Sequence, residues 1–126
     1  MRAVDTNVLV RLIARDDPKQ VAAAEAFVAK GAWVSLLVLA EATWVLSSAY
    51  DLDPAATGQA IDMLLNHRDL TIQDRESVAG ALEEFRRRPS LGFSDCLILE
   101  VARRAGHVPM GTFDRGLSKL AGTERL

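Results

Sequence analysis

The chain begins with the stretch Met1-Arg2-Ala3-Val4-Asp5-Thr6-Asn7, in which a short apolar run meets three polar residues. Asp, Thr and Asn favour turns and helix N-caps, because their side chains accept hydrogen bonds from nearby backbone N–H groups. We therefore expect a strand over about Arg2–Val4 that turns directly into a helix over Val8–Ile13. A strand that leads into a helix is typical of α/β proteins.

The same alternation continues along the chain. Short apolar runs predict further strands at 32–34, 70–72 and 107–110. Start and stop signals predict helices over about 17–28, 37–49, 53–65, 75–88, 94–105 and 115–120, with Ser94 as the N-cap of the fifth. The helix over 37–49 is apolar nearly all round, which predicts a buried element. Strands that alternate with helices indicate an α/β domain with a mainly parallel sheet.

Length and composition indicate one folded domain. The chain has 126 residues, of which 49% are apolar and 25% charged. No apolar run reaches the roughly 18 residues that a membrane span needs. Cys96 is the single cysteine, which excludes an intrachain disulfide and predicts a reducing, cytoplasmic setting. The net charge of −2 argues against a protein that coats nucleic acid, but it leaves an enzyme that acts on nucleic acid open.

Four acidic residues have apolar neighbours in the sequence: Asp5, Glu41, Asp95 and Asp114. Carboxylates are rarely buried without a partner. In open parallel sheets, ligands bind beyond the carboxyl ends of the strands. Two of these acids follow predicted strands, and the other two lie in helices that begin on the same side. If the four converge there, their repulsion calls for a compensating charge, and a divalent cation is the natural candidate.

Each acid taken alone also has a structural explanation. Asp5 can cap the following helix, Asp95 can complement a helix dipole and Asp114 can be a turn residue. Glu41 is the hardest to explain in this way, because it projects from a mostly apolar helix.

A carboxylate cluster favours Mg²⁺ or Mn²⁺, which prefer oxygen ligands. Such an ion lowers the pKa of a bound water and stabilises a leaving oxygen, so the site would suit phosphodiester hydrolysis. Zinc fits poorly, because His67 and His107 lack ligand spacing and Cys96 stands alone.

Four segments resemble those of the PIN-domain nucleases: Asp5-Thr6-Asn7, Glu41 in its apolar helix, Ser94-Asp95 at a helix start, and Thr112-Phe113-Asp114. The resemblance covers nearly the whole chain. Because of its small size, the chain looks most similar to the VapC-type toxins of bacterial and archaeal toxin–antitoxin pairs. It implies a single PIN domain over residues 1–126, with a three-layer α/β/α sandwich around a short, mainly parallel central sheet. It also implies a Mg²⁺- or Mn²⁺-dependent endoribonuclease that hydrolyses RNA with metal-activated water.

The resemblance further implies roles and partners. The family's catalytic, metal-binding acids match Asp5, Glu41, Asp95 and Asp114. The polar positions that support those acids match Thr6, Asn7 and Thr112. The implied partners are an RNA substrate, a small VapB-like antitoxin and a second copy of the chain in a homodimer, with no membrane involved.

Basic residues are candidate contacts for RNA phosphates, which position a strand without reading its sequence. Arg115 directly follows Asp114, and Arg11 lies on a helix shortly after Asp5. The run Arg86-Arg87-Arg88 has a plainer explanation as a solvated helix end.

Two other functions stay open on the residues alone. A non-catalytic binding module could use the same acids to hold a structural metal or a basic peptide. A phosphohydrolase with Asp5 as its covalent nucleophile is less well supported. Haloacid-dehalogenase-like enzymes of that kind carry a second Asp two residues further on, where this chain has Asn7.

Overall fold

A computed structural model describes residues 1–126, which divide into two compact units, Met1–Arg75 and Glu76–Leu126. The first unit contains β1 (Arg2–Ala3), α1 (Thr6–Ala14), α2 (Pro18–Val28), β2 (Ala32–Val34), α3 (Leu36–Ser48), α4 (Pro54–Asn66) and β3 (Leu70–Ile72). Helix α5 (Arg75–Arg87) begins at the boundary. The second unit continues with α6 (Phe93–Arg104), β4 (Met110–Thr112), a 3₁₀ helix (Leu117–Lys119) and β5 (Thr123–Arg125). The expectation of a single domain over 1–126 stays a prediction.

All strand pairs in the structure are parallel. In the first unit the strand order is β1-β2-β3, with Ala3 opposite Trp33 and Trp33 opposite Thr71. In the second unit β4 pairs with β5. Six α-helices together with parallel strands confirm the predicted α/β class, and they are consistent with the PIN-like α/β/α fold.

The helices of the first unit begin where their capping residues predict. Asp17 and Asp53 each accept a hydrogen bond from the backbone N–H three residues on, at 3.1 and 2.7 Å. Pro18 and Pro54 follow them at the first helical position, where a missing N–H removes no helical hydrogen bond. Ser35 caps α3 through the backbone N–H of Val38 at 3.1 Å. These local signals therefore set the helix starts.

Two predicted boundaries in the second unit are corrected. Helix α6 begins at Phe93 with Gly92 at the N-cap, so Ser94 lies inside the first turn and does not cap it. Phe93 is buried and packs edge-to-face on Phe85, with ring centroids 5.9 Å apart, which favours the earlier start. The fourth strand lies at 110–112 rather than at 107–110, because Pro109 has no N–H to donate to a strand ladder.

Each unit contains its own buried apolar side chains. The largest in the first unit are Leu9, Leu39, Leu46, Ile61 and Leu64. Those in the second include Val78, Leu82, Phe85, Phe93 and Leu99. None of the helices combines the length and apolar character that crossing a membrane requires.

Helix α3 is buried on one face only. Leu39, Ala42 and Leu46 are buried where α3 packs against α1 and α4. On the opposite face Leu37 is 84% exposed and Trp44 is 65% exposed. The prediction of a fully buried helix is therefore wrong, because only one face has neighbouring elements to pack against. We call Leu37, Glu41 and Trp44, which follow one another at helical spacing, the α3 stripe.

Candidate functional site

Asp5 lies between β1 and α1, directly after the buried Val4. Its Oδ1 accepts a hydrogen bond from the backbone N–H of Val8 at 3.2 Å, so Asp5 is the N-cap of α1. The residue is exposed, and its second carboxylate oxygen has no partner in the protein. Capping and ligand binding are therefore compatible at this residue, since one oxygen serves each.

The two predicted supporting residues that follow Asp5 form the first turn of α1. Thr6 is half-buried and Asn7 is exposed. Neither side chain makes a hydrogen bond within the protein, so both keep their hydrogen-bonding capacity for a ligand or a neighbouring carboxylate. Their supporting role stays a prediction.

Glu41 lies in the second turn of α3 and is exposed, between Leu37 and Trp44 on the α3 stripe. It forms no ion pair. The energetic problem of a buried acid does not arise here, because this face of α3 is open. What is unusual about Glu41 is its setting, a single carboxylate between two large exposed apolar side chains.

The topology of the first unit relates Asp5 to Glu41. Strands β1 and β2 run parallel, and the backbone N–H of Val4 donates to the carbonyl of Trp33 at 3.2 Å. Asp5 follows β1, and α3 begins two residues after β2, so both residues belong to segments that leave the same edge of the sheet. Helices α1 and α3 also pack against each other. Both acids thus follow strands that end at the carboxyl edge of this sheet, and their convergence on one site stays a prediction.

Asp95 and Asp114 are neighbours in the second unit. Asp95 is half-buried in the first turn of α6, and Asp114 is exposed after β4. Burial raises the pKa of Asp95 above its ordinary value, and the negative charge of Asp114 raises it further. Neither carboxylate has an ion-pair partner. The structure therefore brings this pair together at an electrostatic cost, which a bound cation would offset.

Thr112 and the turn after it fix Asp114. The Thr112 hydroxyl accepts a hydrogen bond from the backbone N–H of Asp114 at 3.0 Å, and Asp114 Oδ1 accepts one from the N–H of Leu117 at 2.8 Å. Gly116 lies beside them. A Cβ at position 116 would come within 3.3 Å of Asp114 Oδ1 and 2.9 Å of the Leu91 side chain.

Gly116 was missed by the sequence reasoning. The available signal was a glycine two residues after a candidate acid, at a turn. The glycine leaves room for the carboxylate of Asp114 and for the buried Leu91 at the same time.

The two candidate RNA-binding arginines differ in their surroundings. Arg11 contacts Gln20, lies 3.2 Å from Asp16 and donates to the Tyr50 hydroxyl at 2.9 Å. Arg115 is exposed, and its guanidinium has no partner in the protein. Arg11 is therefore engaged in the fold, whereas Arg115 is free for a phosphate.

The available donors fit a hard divalent ion better than zinc. Within neither unit do three or more His, Cys, Asp or Glu side chains come together as a metal-binding group. All the candidate donors are carboxylate oxygens, which suit Mg²⁺ or Mn²⁺. His67 accepts a hydrogen bond from the backbone N–H of Asp69 at 3.1 Å through Nδ1, and Cys96 is buried. Neither residue is therefore positioned as a zinc ligand.

Comparison with known proteins adds one positive finding. The family model described as "PIN domain" matches residues 2–123, which is nearly the whole chain. The match includes all four candidate acids and the supporting residues. No significant match was found among curated proteins or among solved structures.

Proposed function

The chain belongs to the PIN domain family, which indicates a nuclease of a typically metal-dependent kind, and from this premise we propose that it is a Mg²⁺- or Mn²⁺-dependent endoribonuclease. The observation that most supports the proposal is the pair Asp95 and Asp114. Burial and the nearby charge of Asp114 both raise the pKa of Asp95, and no basic side chain of the protein forms an ion pair with either carboxylate. Functional sites are typical places for carboxylates held in this way.

In this proposal the metal-binding, catalytic acids are Asp5, Glu41, Asp95 and Asp114. A divalent ion, when bound, would supply an activated water and would stabilise the leaving oxygen of the phosphodiester. The protein's own contribution is orientation. The hydrogen bond from the backbone N–H of Val8 fixes the Asp5 carboxylate at the start of α1, and the Thr112 hydroxyl fixes the backbone of Asp114. Arg115 holds a phosphate of the RNA.

The decisive test uses Asp5→Asn. Asn caps a helix as well as Asp does, so this variant keeps α1 intact and removes only the charge. Asp5→Ala would add a loss of about 1 kcal/mol of stability from the missing cap, which would confuse the result. We expect Asp5→Asn to abolish cleavage of RNA by the purified protein in Mg²⁺ or Mn²⁺, with an unchanged melting temperature.

Two controls accompany this test. Glu83→Gln removes an equal charge from an exposed acid of α5 and is expected to cut RNA at the wild-type rate. A circular RNA has no ends, so its cleavage distinguishes an endonuclease from an exonuclease, and a single-stranded DNA of the same sequence tests the preference for RNA. Full activity of Asp5→Asn in Mg²⁺ or Mn²⁺ would contradict the proposal, and so would full activity of this variant in EDTA.

We also propose that the protein acts in the cytoplasm as the toxin of a toxin–antitoxin pair, is neutralised by a small VapB-like antitoxin and forms a homodimer. The exposed Leu37 and Trp44 support a partner surface, since large apolar side chains at helical spacing are typical of binding faces. Induction of wild type in cells is expected to arrest growth and create new RNA 5′ ends, whereas Asp5→Asn does neither. Equal growth of cells that express wild type and cells that express Asp5→Asn would refute the toxin role without affecting the nuclease proposal.

A further inference from the structure

The second unit contains a groove of about 560 Å³ between the C-terminal end of α5, the last turn of α6 and the segment around the 3₁₀ helix. We call it the basic groove. Its charged lining residues are Arg87, Arg88, Arg103, Lys119 and Glu84. Four positive charges therefore face one negative charge, on a chain whose net charge is −2. Such a local excess of positive charge attracts anions.

One wall of the basic groove is fixed by Arg103. Its Nε donates to the carbonyl of Ala121 at 3.1 Å, Nη2 donates to the same oxygen, and Nη1 lies 3.6 Å from Glu100. Gly122 permits this approach. It has a φ of +86°, and a Cβ there would lie 3.3 Å from Arg103 Nε. The backbone after the 3₁₀ helix is thus tied to α6, which holds the groove open in one geometry.

The other cations of the basic groove are available to a ligand. Arg88 and Lys119 are exposed, and neither side chain has an ion-pair or hydrogen-bond partner in the protein. Arg87 lies 3.5 Å from Glu84, but its side chain is 69% exposed, so this contact is weak. Two free cations and one loosely paired cation therefore surround the anchored Arg103.

The basic groove is separate from the acids of its own unit. Arg103 comes eight residues after Asp95 on α6, which is about 12 Å along the helix axis at about 1.5 Å per residue. A single phosphate bound at Asp95 does not span this distance to Arg103. The ligand that suits the groove together with a nuclease site is an extended chain of phosphates.

We propose that the basic groove binds the phosphodiester backbone of an RNA strand, away from the bond that is cut. The choice of RNA as ligand rests on the proposed nuclease function. The groove holds the strand irrespective of its sequence, because its contacts come from cations to phosphates and not to base edges.

The test measures RNA affinity of the full chain in EDTA, so that no strand is cut. It compares wild type with Arg88→Gln/Lys119→Gln, using a single-stranded RNA in about 50 to 200 mM salt. Each phosphate contact adds about 0.7 to the slope of log K against log salt for single strands, so the double variant loses about 1.4. Over that fourfold range, the affinity of wild type is then expected to fall about sevenfold more than that of the variant.

Lys19→Gln/Lys30→Gln is the matched control. It removes the same charge from two exposed lysines of the first unit that have no ion-pair partner, and it is expected to keep the wild-type slope. An equal loss in both double variants would mean that net charge alone matters, and it would overturn the proposal. An unchanged salt slope in the groove variant would also overturn the proposal, and so would a lack of RNA binding by wild type.

Two further arms identify the ligand and separate this proposal from the nuclease function. One outcome is that inorganic phosphate binds the groove while RNA affinity stays equal in wild type and the groove variant. That result would indicate a small-anion site, and it would overturn the proposal that the groove binds RNA. If the salt slopes of wild type and the groove variant differ as expected but wild type cuts no RNA in Mg²⁺, the nuclease function alone is refuted. Wild type that cuts RNA while the groove variant binds like wild type refutes the groove alone.

Discussion

The two units hold their acidic candidates in different ways. In the first unit Asp5 and Glu41 are exposed and neither forms an ion pair, and Asp5 also stabilises a helix start. In the second unit Asp95 is half-buried beside Asp114, and burial and the neighbouring charge both raise the pKa of Asp95. The arrangement in the first unit can be explained by the stability of the fold alone, whereas the arrangement in the second unit lowers that stability. The difference indicates that the second pair carries the stronger signal of function.

Asp95→Asn is expected to have the largest combined effect, because it changes both cleavage and stability, whereas Asp5→Asn changes cleavage alone. RNA cleavage should fall by more than about 100-fold, since loss of even an outer partner of a metal ligand costs about 10- to 100-fold. The free energy of unfolding without metal should rise at neutral pH, because the amide removes both the burial of a charge and its repulsion by Asp114. Cleavage assays and denaturant unfolding in EDTA measure the two effects.

The pH dependence of that gain has a definite sign. The pKa of Asp95 is raised in the folded protein, so folding is favoured while Asp95 is protonated, and this contribution is lost as the pH rises above the ordinary value of 3.8 and through the folded-state pKa. The stability gain of Asp95→Asn should therefore be small at low pH and grow towards neutrality. Asp5→Asn is the control in the first unit, where no such gain is expected. If Asp95→Asn raised the free energy of unfolding at neither low nor neutral pH, the contrast between the units would be removed.

Gly116→Ala is expected to have an intermediate effect on cleavage, a loss of about 10-fold, comparable to the loss of an outer contact of a metal ligand. The new Cβ would lie 3.3 Å from Asp114 Oδ1 and 2.9 Å from the Leu91 side chain, so the carboxylate or the leucine must move. The measurement is kcat/KM at saturating Mg²⁺. Gly92→Ala is the matched control, because its Cβ would meet Asp95 Oδ2 at an ordinary 3.9 Å. Equal activity of the two variants would mean that Asp114 tolerates the shift.

The smallest effects are expected from the two arginines, and they should be opposite in kind. Arg11→Gln should lower the free energy of unfolding, since it breaks contacts with Asp16 and Tyr50, with little change in KM. Arg115→Gln should raise KM for RNA about fivefold, which corresponds to about 1 kcal/mol for one exposed charge contact, with unchanged stability. A raised KM for Arg11→Gln alone would reverse their assigned roles.

The fold was predictable from the sequence wherever local chemistry determines it. The caps at Asp17 and Asp53 and the strand over Leu70–Ile72 lie where the sequence predicts them. The predicted cap at Ser94 is wrong, because burial of Phe93 on Phe85 favours an earlier helix start, and that contact joins two different helices. Local signals contain no information about such a contact.

The candidate site was predictable in its residue types but not in its surroundings. The position of Asp5 after a strand follows from the sequence alone. The proximity of Asp95 and Asp114 depends on how α6 and β4 come together, and the exposure of Trp44 depends on which face of α3 has neighbours. The role of Gly116 depends on a clearance of a few ångströms beside two side chains from different segments.

The α3 stripe has an optical consequence. The protein contains two tryptophans, and Trp44 is 65% exposed whereas Trp33 is half-buried in the middle strand β2. Water-exposed indole emits at longer wavelength than indole in an apolar environment, so the emission of Trp44 is a label-free monitor of whatever covers the stripe. Trp44→Phe keeps an aromatic ring at that position and leaves Trp33 as the sole tryptophan, which separates the two tryptophan signals. Since Glu41 lies one helical turn from Trp44, the same emission also monitors events at this carboxylate.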